Sequence, residues 1–190
     1  MGPDCLVGID IGTTSVRVTI YDAGGHLISE GRVPNLISHP RPGWAEQDPN
    51  AWWQGVCKAS RDALKHFPYH RQAIKGIAVT SMRQTFVCLG KDLKPLRPAI
   101  LWYDTRHAAQ VDWVREQFGD RMVYEQTGSP PGRRAIYKVI WLKQNEPGCY
   151  DKTAHIAFIP DFILLQLTGR LATTPGVSYA SGCLSASNPF

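Results

Sequence analysis

Gly8-Ile9-Asp10-Ile11-Gly12-Thr13-Thr14-Ser15-Val16-Arg17 lies near the start of this chain of 190 residues and carries its most telling pattern. An apolar run, Leu6 to Ile9, delivers a carboxylate at Asp10, and Gly12 permits a tight turn. Thr13, Thr14 and Ser15 line the bend with hydroxyls, and an alternating stretch (Val16, Val18, Ile20) leads away with Arg17 as a fixed cation. Nucleotide phosphates need that set: backbone N–H groups and hydroxyls for the oxygens, a cation for the charge, and a carboxylate for magnesium or its waters. Taken alone, the same residues also suit a plain β-hairpin turn capped by Asp10. Neither G-x-x-x-x-G-K-[ST] nor G-x-G-x-x-G occurs, so the turn is neither a Walker loop nor a dinucleotide fingerprint.

Working outward, three strand-like segments (Leu6 to Ile11, Val16 to Asp22, Leu27 to Val33) follow one another through short turns, which predicts an antiparallel meander. A Pro- and Gly-marked loop, Pro34 to Gly43, precedes Asp48-Pro49, a good N-cap and first-turn pair. Behind it Trp52, Trp53, Val56, Ala59, Ala63, Leu64 and Phe67 recur at helical spacing. Strand patterns return from Ile74, at Thr85 to Leu89 and at Pro98 to Trp102, with a break at Thr80 to Gln84. Helical patterns cover Thr105 to Phe118 and Arg134 to Gln144, and Pro147 starts a short helical turn. A strand at His155 to Ile159 then leads into an apolar helix through Leu167 that Thr168-Gly169 stops. The order predicts an α/β layout with an antiparallel front end.

Composition narrows the classes. The hydrophobic share of 43% supports a full core, enough for one domain or a large part of a longer protein. The 5 cysteines are widely spaced and odd in number, which argues against a disulfide framework and fits a reducing cytoplasm. No apolar run suits a signal peptide or a membrane span, so no membrane partner is expected. The net charge of +5 is spread along the chain without a basic, aromatic-rich run, which points away from nucleic acid. The 6 histidines form no cluster with the cysteines.

The motifs together resemble the N-terminal domain of the FGGY carbohydrate kinases, the group that includes xylulokinase, glycerol kinase and the autoinducer-2 kinase. The resemblance runs over nearly all of residues 1–190. It rests on the Gly8 to Arg17 turn, on Pro42 to Pro49 with Trp52-Trp53, and on Ser81-Met82-Arg83-Gln84. It continues through Pro98 to Arg106, Lys138-Val139-Ile140-Trp141-Leu142, and Asp161-Phe162 with Leu167-Thr168-Gly169. It implies an RNase H-like fold of the actin-like ATPase and sugar-kinase superfamily, a mixed sheet flanked by helices. The implied activity is ATP-dependent phosphorylation of a small-molecule sugar or polyol.

By that resemblance Gly12, Thr13, Thr14, Ser15 and Arg17 form the first phosphate loop for ATP, and Asp10 is the carboxylate associated with Mg2+. Met82, Arg83, Gln84, Trp102 and Asp104 stand on the sugar side, where several fixed hydrogen bonds and an apolar floor would hold a polyol. Residue-level alternatives stay open: Arg83 as a surface ion-pair partner, Asp104 as a helix N-cap, Trp102 as core.

Two departures bear on the substrate. After Thr127-Gly128 the chain reads Ser129-Pro130-Pro131-Gly132-Arg133, without the aromatic contact of glycerol kinases. That resembles a xylulokinase-type pocket and makes a ketopentose such as xylulose the expected acceptor, yet Met82-Arg83 reads as in the autoinducer-2 kinase. The second departure is Thr174 to Ala180, which lacks the aspartate of the family's Thr-Asp-x-Ser-x-Ala motif, so no role is carried onto it.

Relatives are longer, two-domain proteins whose general base would fall beyond Phe190. The chain is therefore expected to be an N-terminal part without that base, the end of its own domain or the C-terminal domain, and inactive by itself. A homodimer of the longer parent is left open. The reading from another class is a non-catalytic actin-like domain kept for sugar sensing or assembly.

Overall fold

The computed structural model describes residues 2–179 and 181–185. Of the Thr174 to Ala180 stretch, Ala180 lies outside the described residues. The chain forms two compact units, one of Met1–Ile37 with Asp48–Met82 and the other of Ser38–Gln47 with Arg83–Phe190. All five cysteines are free thiols.

In the first unit, Cys5, Val7, Ile9 and Ile11 alternate with Leu6, Gly8 and Asp10, so strand β1 (Cys5–Ile11) buries one face. It pairs antiparallel with β2 (Ser15–Asp22), which pairs antiparallel with β3 (Leu27–Pro34), as the turn spacing predicts. The chain then contributes a two-residue strand, β4 (Glu46–Gln47), to the second unit. Helix α1 (Pro49–Lys65) follows, and β5 (Ile74–Ser81) completes the first sheet parallel to β1, in the order β3-β2-β1-β5. Asp48 caps α1, its Oδ1 accepting from the Asn50 N–H at 2.9 Å, and Pro49 occupies the first turn. Trp52, Gly55, Val56, Ala59 and Ala63 form the buried stripe that packs on β2 and β3. Two glycines permit that packing: a Cβ at Gly55 would stand 3.0 Å from Val16 Cγ2, and one at Gly31 would run into the Ala59 carbonyl.

The second unit is built on an antiparallel sheet of order β4-β7-β6-β8, with β6 at Phe86–Leu89, β7 at Ala99–Ile100 and β8 at His155–Phe158. Helices α2 (Ala108–Thr127), α3 (Ala135–Asn145), α4 (Pro147–Tyr150), α5 (Ile159–Thr168) and α6 (Pro175–Tyr179) accompany it. Phe86, Cys88, Ile100, Trp141, Leu142 and Phe158 make its core. Asp161, at the third position of α5, accepts the Phe158 N–H at 3.0 Å and fixes the start of that helix.

The elements depart from the sequence reading in three places. The expected strand over Pro98 to Trp102 is only two residues long. The helix expected to stop at Phe118 breaks at Gly119 (φ 73°, ψ 150°) and resumes to Thr127, where left-handed Gly128 ends it. Beyond Gly119 that helix buries no side chain fully, so it presents no apolar stripe to read. The single α/β layout resolves into two units because Glu46 and Gln47, ahead of α1, pair with Ile100 and Ala99.

Gly31→Ala should lower unfolding stability by about 1–3 kcal/mol, since backbone and not a flexible side chain must yield. Gly148→Ala, where a Cβ meets nothing within 4 Å, is the matched control and should be near neutral in the same denaturant titration.

Candidate active site

The turn between β1 and β2 is held from behind. The Gly12 N–H donates to the Ser15 carbonyl at 2.9 Å, the Asn35 amide Nδ2 donates to the Gly12 carbonyl at 2.8 Å, and the Asn35 N–H donates to the Thr14 carbonyl at 2.9 Å. Asn35 went unread in the sequence because it sits in a loop some twenty positions from the turn it clamps. Thr14 is exposed, and its hydroxyl engages no protein group among the described residues. Thr13 is half-buried, its Oγ1 lying 3.5 Å from Met82 Sδ, and the Met82 N–H donates to the Ile11 carbonyl at 3.1 Å. Ser15 is buried.

Asp10 and Arg17 stand directly opposite in the β1–β2 register, so both side chains lie on one sheet face. Asp10 is half-buried and Arg17 exposed, and neither makes an ion pair among the described residues. The corner therefore offers an available carboxylate, an available guanidinium and free hydroxyl capacity.

In the second unit, Arg83 is exposed and makes no ion pair among the described residues. Gln84 follows with φ 64°, a left-handed conformation that costs a non-glycine residue about 1–3 kcal/mol. Trp102 is 38% exposed and packs edge-on to Tyr103 with ring centroids 5.4 Å apart, so it is not core.

Asp104 is turned inward. Its Oδ2 accepts from the Ala45 N–H and from Arg106 Nη2, both at 2.7 Å, and its Oδ1 accepts from the Arg106 N–H and Nε, both at 2.9 Å. Its side chain has no exposure, and every strong acceptor direction of the carboxylate is used within the protein. Arg106, equally enclosed, also donates to Glu46 Oε1 at 2.7 Å, and its guanidinium lies 3.7 Å from the Trp44 ring centroid. Arg97 bridges the same Glu46 to Glu146.

Below this network sits Lys138 of α3, with no exposure. Its Nζ donates to the Gln84 carbonyl at 2.9 Å and to the Leu101 carbonyl at 2.8 Å. Burial pushes the ammonium down to about 7, against the pull of Asp104. Sequence reading placed Lys138 only within a motif. A usable signal was present, because it shares the helical face of Ala135, Trp141 and Leu142 that faces the core. His107 is also buried, its Nδ1 has no hydrogen-bond partner among the described residues, and burial followed by the charge of Lys138 pushes the imidazole down to about 4. His107 lines a cavity of about 180 Å³ together with Asp104, Thr105, Asp112, Gly132 and Arg133.

A mixed sheet of order β3-β2-β1-β5, antiparallel in its first three strands and flanked by a helix, has the RNase H-like fold of the sugar kinases. The chain belongs to the FGGY family of carbohydrate kinases: the family's N-terminal domain matches residues 5–185. The glycerol kinase of Thermococcus onnurineus is 31% identical over 173 residues, covering 88% of this chain and 35% of that protein. The xylulose kinase of Staphylococcus xylosus is 27% identical over 171 residues, covering 90% of this chain and 35% of its own length. In structure, the chain superposes on a Plasmodium falciparum glycerol kinase solved with ADP at a TM-score of 0.87 and 22% identity, over 98% of this chain and 38% of that one. The chain thus spans about a third of the length of the curated relatives it matches. Among the described residues no helix is long and apolar enough to cross a membrane.

His107 gives the second unit a defined acid sensitivity. It binds a proton near pH 4 when folded but near its ordinary 6.5 when unfolded, so the unfolded state holds more protons in between and stability must fall as pH drops from 6.5 to 4. The full span amounts to about 3 kcal/mol. In His107→Gln that contribution vanishes, and urea midpoints measured at pH 7, 5.5 and 4 should decline less steeply than in the parent. Parallel declines would show that His107 is not the group responsible.

Proposed function

We propose that this chain is the N-terminal domain of an ATP-dependent carbohydrate kinase, with a ketopentose such as xylulose as its acceptor. The observation that carries the reading is the β1–β2 corner, where a carboxylate and a guanidinium on one face stand unpaired beside free hydroxyl capacity. Left without a ligand, such an arrangement brings the fold nothing; beside a triphosphate it supplies what phosphoryl transfer uses, positioning and charge neutralisation. Gly12, Thr13, Thr14, Ser15 and Arg17 receive the phosphates, and Asp10 holds Mg2+ or its waters. The donor set suits that ion, which keeps most of its waters and takes one or two carboxylates plus phosphate oxygens. Among the described residues no group of three or more His, Cys, Asp or Glu could hold a metal by itself, in line with that shared mode. When bound, the ion would neutralise charge on the transferring phosphate.

On the sugar side, Arg83 and Gln84 donate to hydroxyls, Trp102 supplies apolar surface, and Asp104 serves from beneath by fixing Ala45 and Arg106. The cavity beside Gly132 and Arg133 contains no Phe, Tyr or Trp, which favours an acceptor longer than glycerol. A glycerol-type acceptor draws its support from the Thermococcus onnurineus relative, and an autoinducer-2-type acceptor from Met82-Arg83. The general base and the rest of the nucleotide site belong, on this proposal, to a further domain, as the length of the relatives suggests.

In the full-length enzyme, Asp10→Ala should cut ATP turnover by roughly a hundredfold or more with an unchanged circular dichroism spectrum. Normal turnover would remove Asp10 from the metal role. Arg83→Ala should raise the sugar KM by roughly tenfold or more while leaving the ATP KM in place, and equal effects on both would take it out of the sugar site. A panel of pentuloses, hexuloses, polyols and the autoinducer-2 precursor, assayed with ATP, decides the acceptor.

A further inference from the structure

Lys138 is the fully buried cation that the proposed chemistry leaves without a task. Its two acceptors are backbone carbonyls 17 positions apart that belong to different loops, Gln84 after the break that carries Arg83, and Leu101 immediately before Trp102. Neither loop is held there by regular structure. β6 starts only at Phe86 and β7 ends at Ile100. Gln84 moreover sits in the left-handed region, which a glutamine does not keep without restraint. A single amine thus ties together the two backbone segments from which the exposed Arg83 and Trp102 project. The Leu101 segment is anchored besides by its N–H to the Ala45 carbonyl at 2.9 Å and by the Asp104 N–H to the Leu101 carbonyl at 3.2 Å, so the amine links the Gln84 segment to an already placed one.

We propose that Lys138 is a positioning residue for the sugar acceptor: by clamping the Gln84 and Leu101 carbonyls to one atom, it sets the distance between the hydrogen-bonding residues Arg83 and Gln84 and the apolar surface of Trp102. The inference rests on the kinase reading of those three side chains. An apolar side chain of similar length would fill the same volume but leave both carbonyls without the donor, and a glutamine would serve one of them at best. Misplaced contacts weaken acceptor binding and alignment far more than nucleotide binding, because the phosphate turn involves none of these residues.

The test uses the full-length enzyme with D-xylulose and with glycerol as acceptors, comparing the parent, Lys138→Met, Lys138→Gln and Arg83→Ala. Lys138→Met should raise the acceptor KM by roughly tenfold or more and lower kcat, with the ATP KM within about twofold of the parent and Lys138→Gln in between. Unchanged acceptor KM in folded Lys138→Met, or equal increases for acceptor and ATP, overturns the proposal. Should Arg83→Ala raise the acceptor KM while Lys138→Met does not, this inference alone fails; should neither affect it, the sugar-site reading itself fails. If both Lys138 variants do not fold, the parent labelled with 15N-lysine decides. The slowly exchanging Nζ resonance of the buried lysine should shift on adding the acceptor, and a resonance that stays put rules the clamp out.

Discussion

A guanidinium with no solvent exposure must be neutralised where it stands, and Arg106 imposes that condition on the second unit. Its Nε, Nη1 and Nη2 each donate to Asp104 or Glu46, and its flat face lies against Trp44, so residues brought from two distant stretches converge on one side chain. Trp44 in turn meets Trp141 edge-on at 5.3 Å. This explains how a segment as short as β4 persists. Two ladder positions alone would contribute little, but Glu46 is tied through its carboxylate to Arg97 and Arg106, and Ala45 through its N–H to Asp104. Removing either charge partner would leave the other buried and unpaired, so the arrangement is specific even where its net energy is small.

The first unit follows the opposite logic. Its packing is apolar and close, with helix α1 set against β2 and β3 where Gly31 and Gly55 leave no room for a Cβ. Its β1–β2 corner is held through backbone carbonyls: Ser15 accepts from the Gly12 N–H, Thr14 from the Asn35 N–H and Gly12 from the Asn35 side-chain amide. A turn restrained through carbonyls keeps hydroxyls and charged side chains available, which a turn restrained through those side chains could not do.

What could be read from the sequence divides along the same line. β1 to β3, α1, α3 and α5 follow from period and caps, since Cys5, Val7, Ile9 and Ile11 alternate and Asp48-Pro49 opens a helix whose stripe is plain. The Asp10 to Arg17 group was legible because its members are contiguous. β4 and β7 were not, having two residues each and no period to detect. The second half of α2 has no apolar stripe, and its start is hidden behind the left-handed Gly119. Asn35, Lys138 and His107 act on partners distant in sequence, and their roles depend on burial that only the assembled unit creates. For Asp104 the residue type was readable but not the direction of its carboxylate. That direction is decided by Arg106, two positions on, and by the Ala45 N–H.

Partnership therefore separates the charged groups of this chain better than residue type or location does. Asp104, Arg106, Glu46 and Arg97 are engaged with one another and fix backbone, and a ligand could reach Asp104 or Arg106 only by displacing bonds made without solvent competition. Asp10, Arg17 and Arg83 remain unengaged among the described residues. Because each keeps contact with water, leaving it unpaired costs the fold little. Incoming phosphates or hydroxyls then replace water and not protein partners, which is the condition under which a charge can contribute its full differential interaction to a ligand. Lys138 stands between the two sets, bonded to two carbonyls and so holding the segment that carries Arg83, and the scaffold charges and the ligand-facing ones are linked through backbone and not through direct ion pairs.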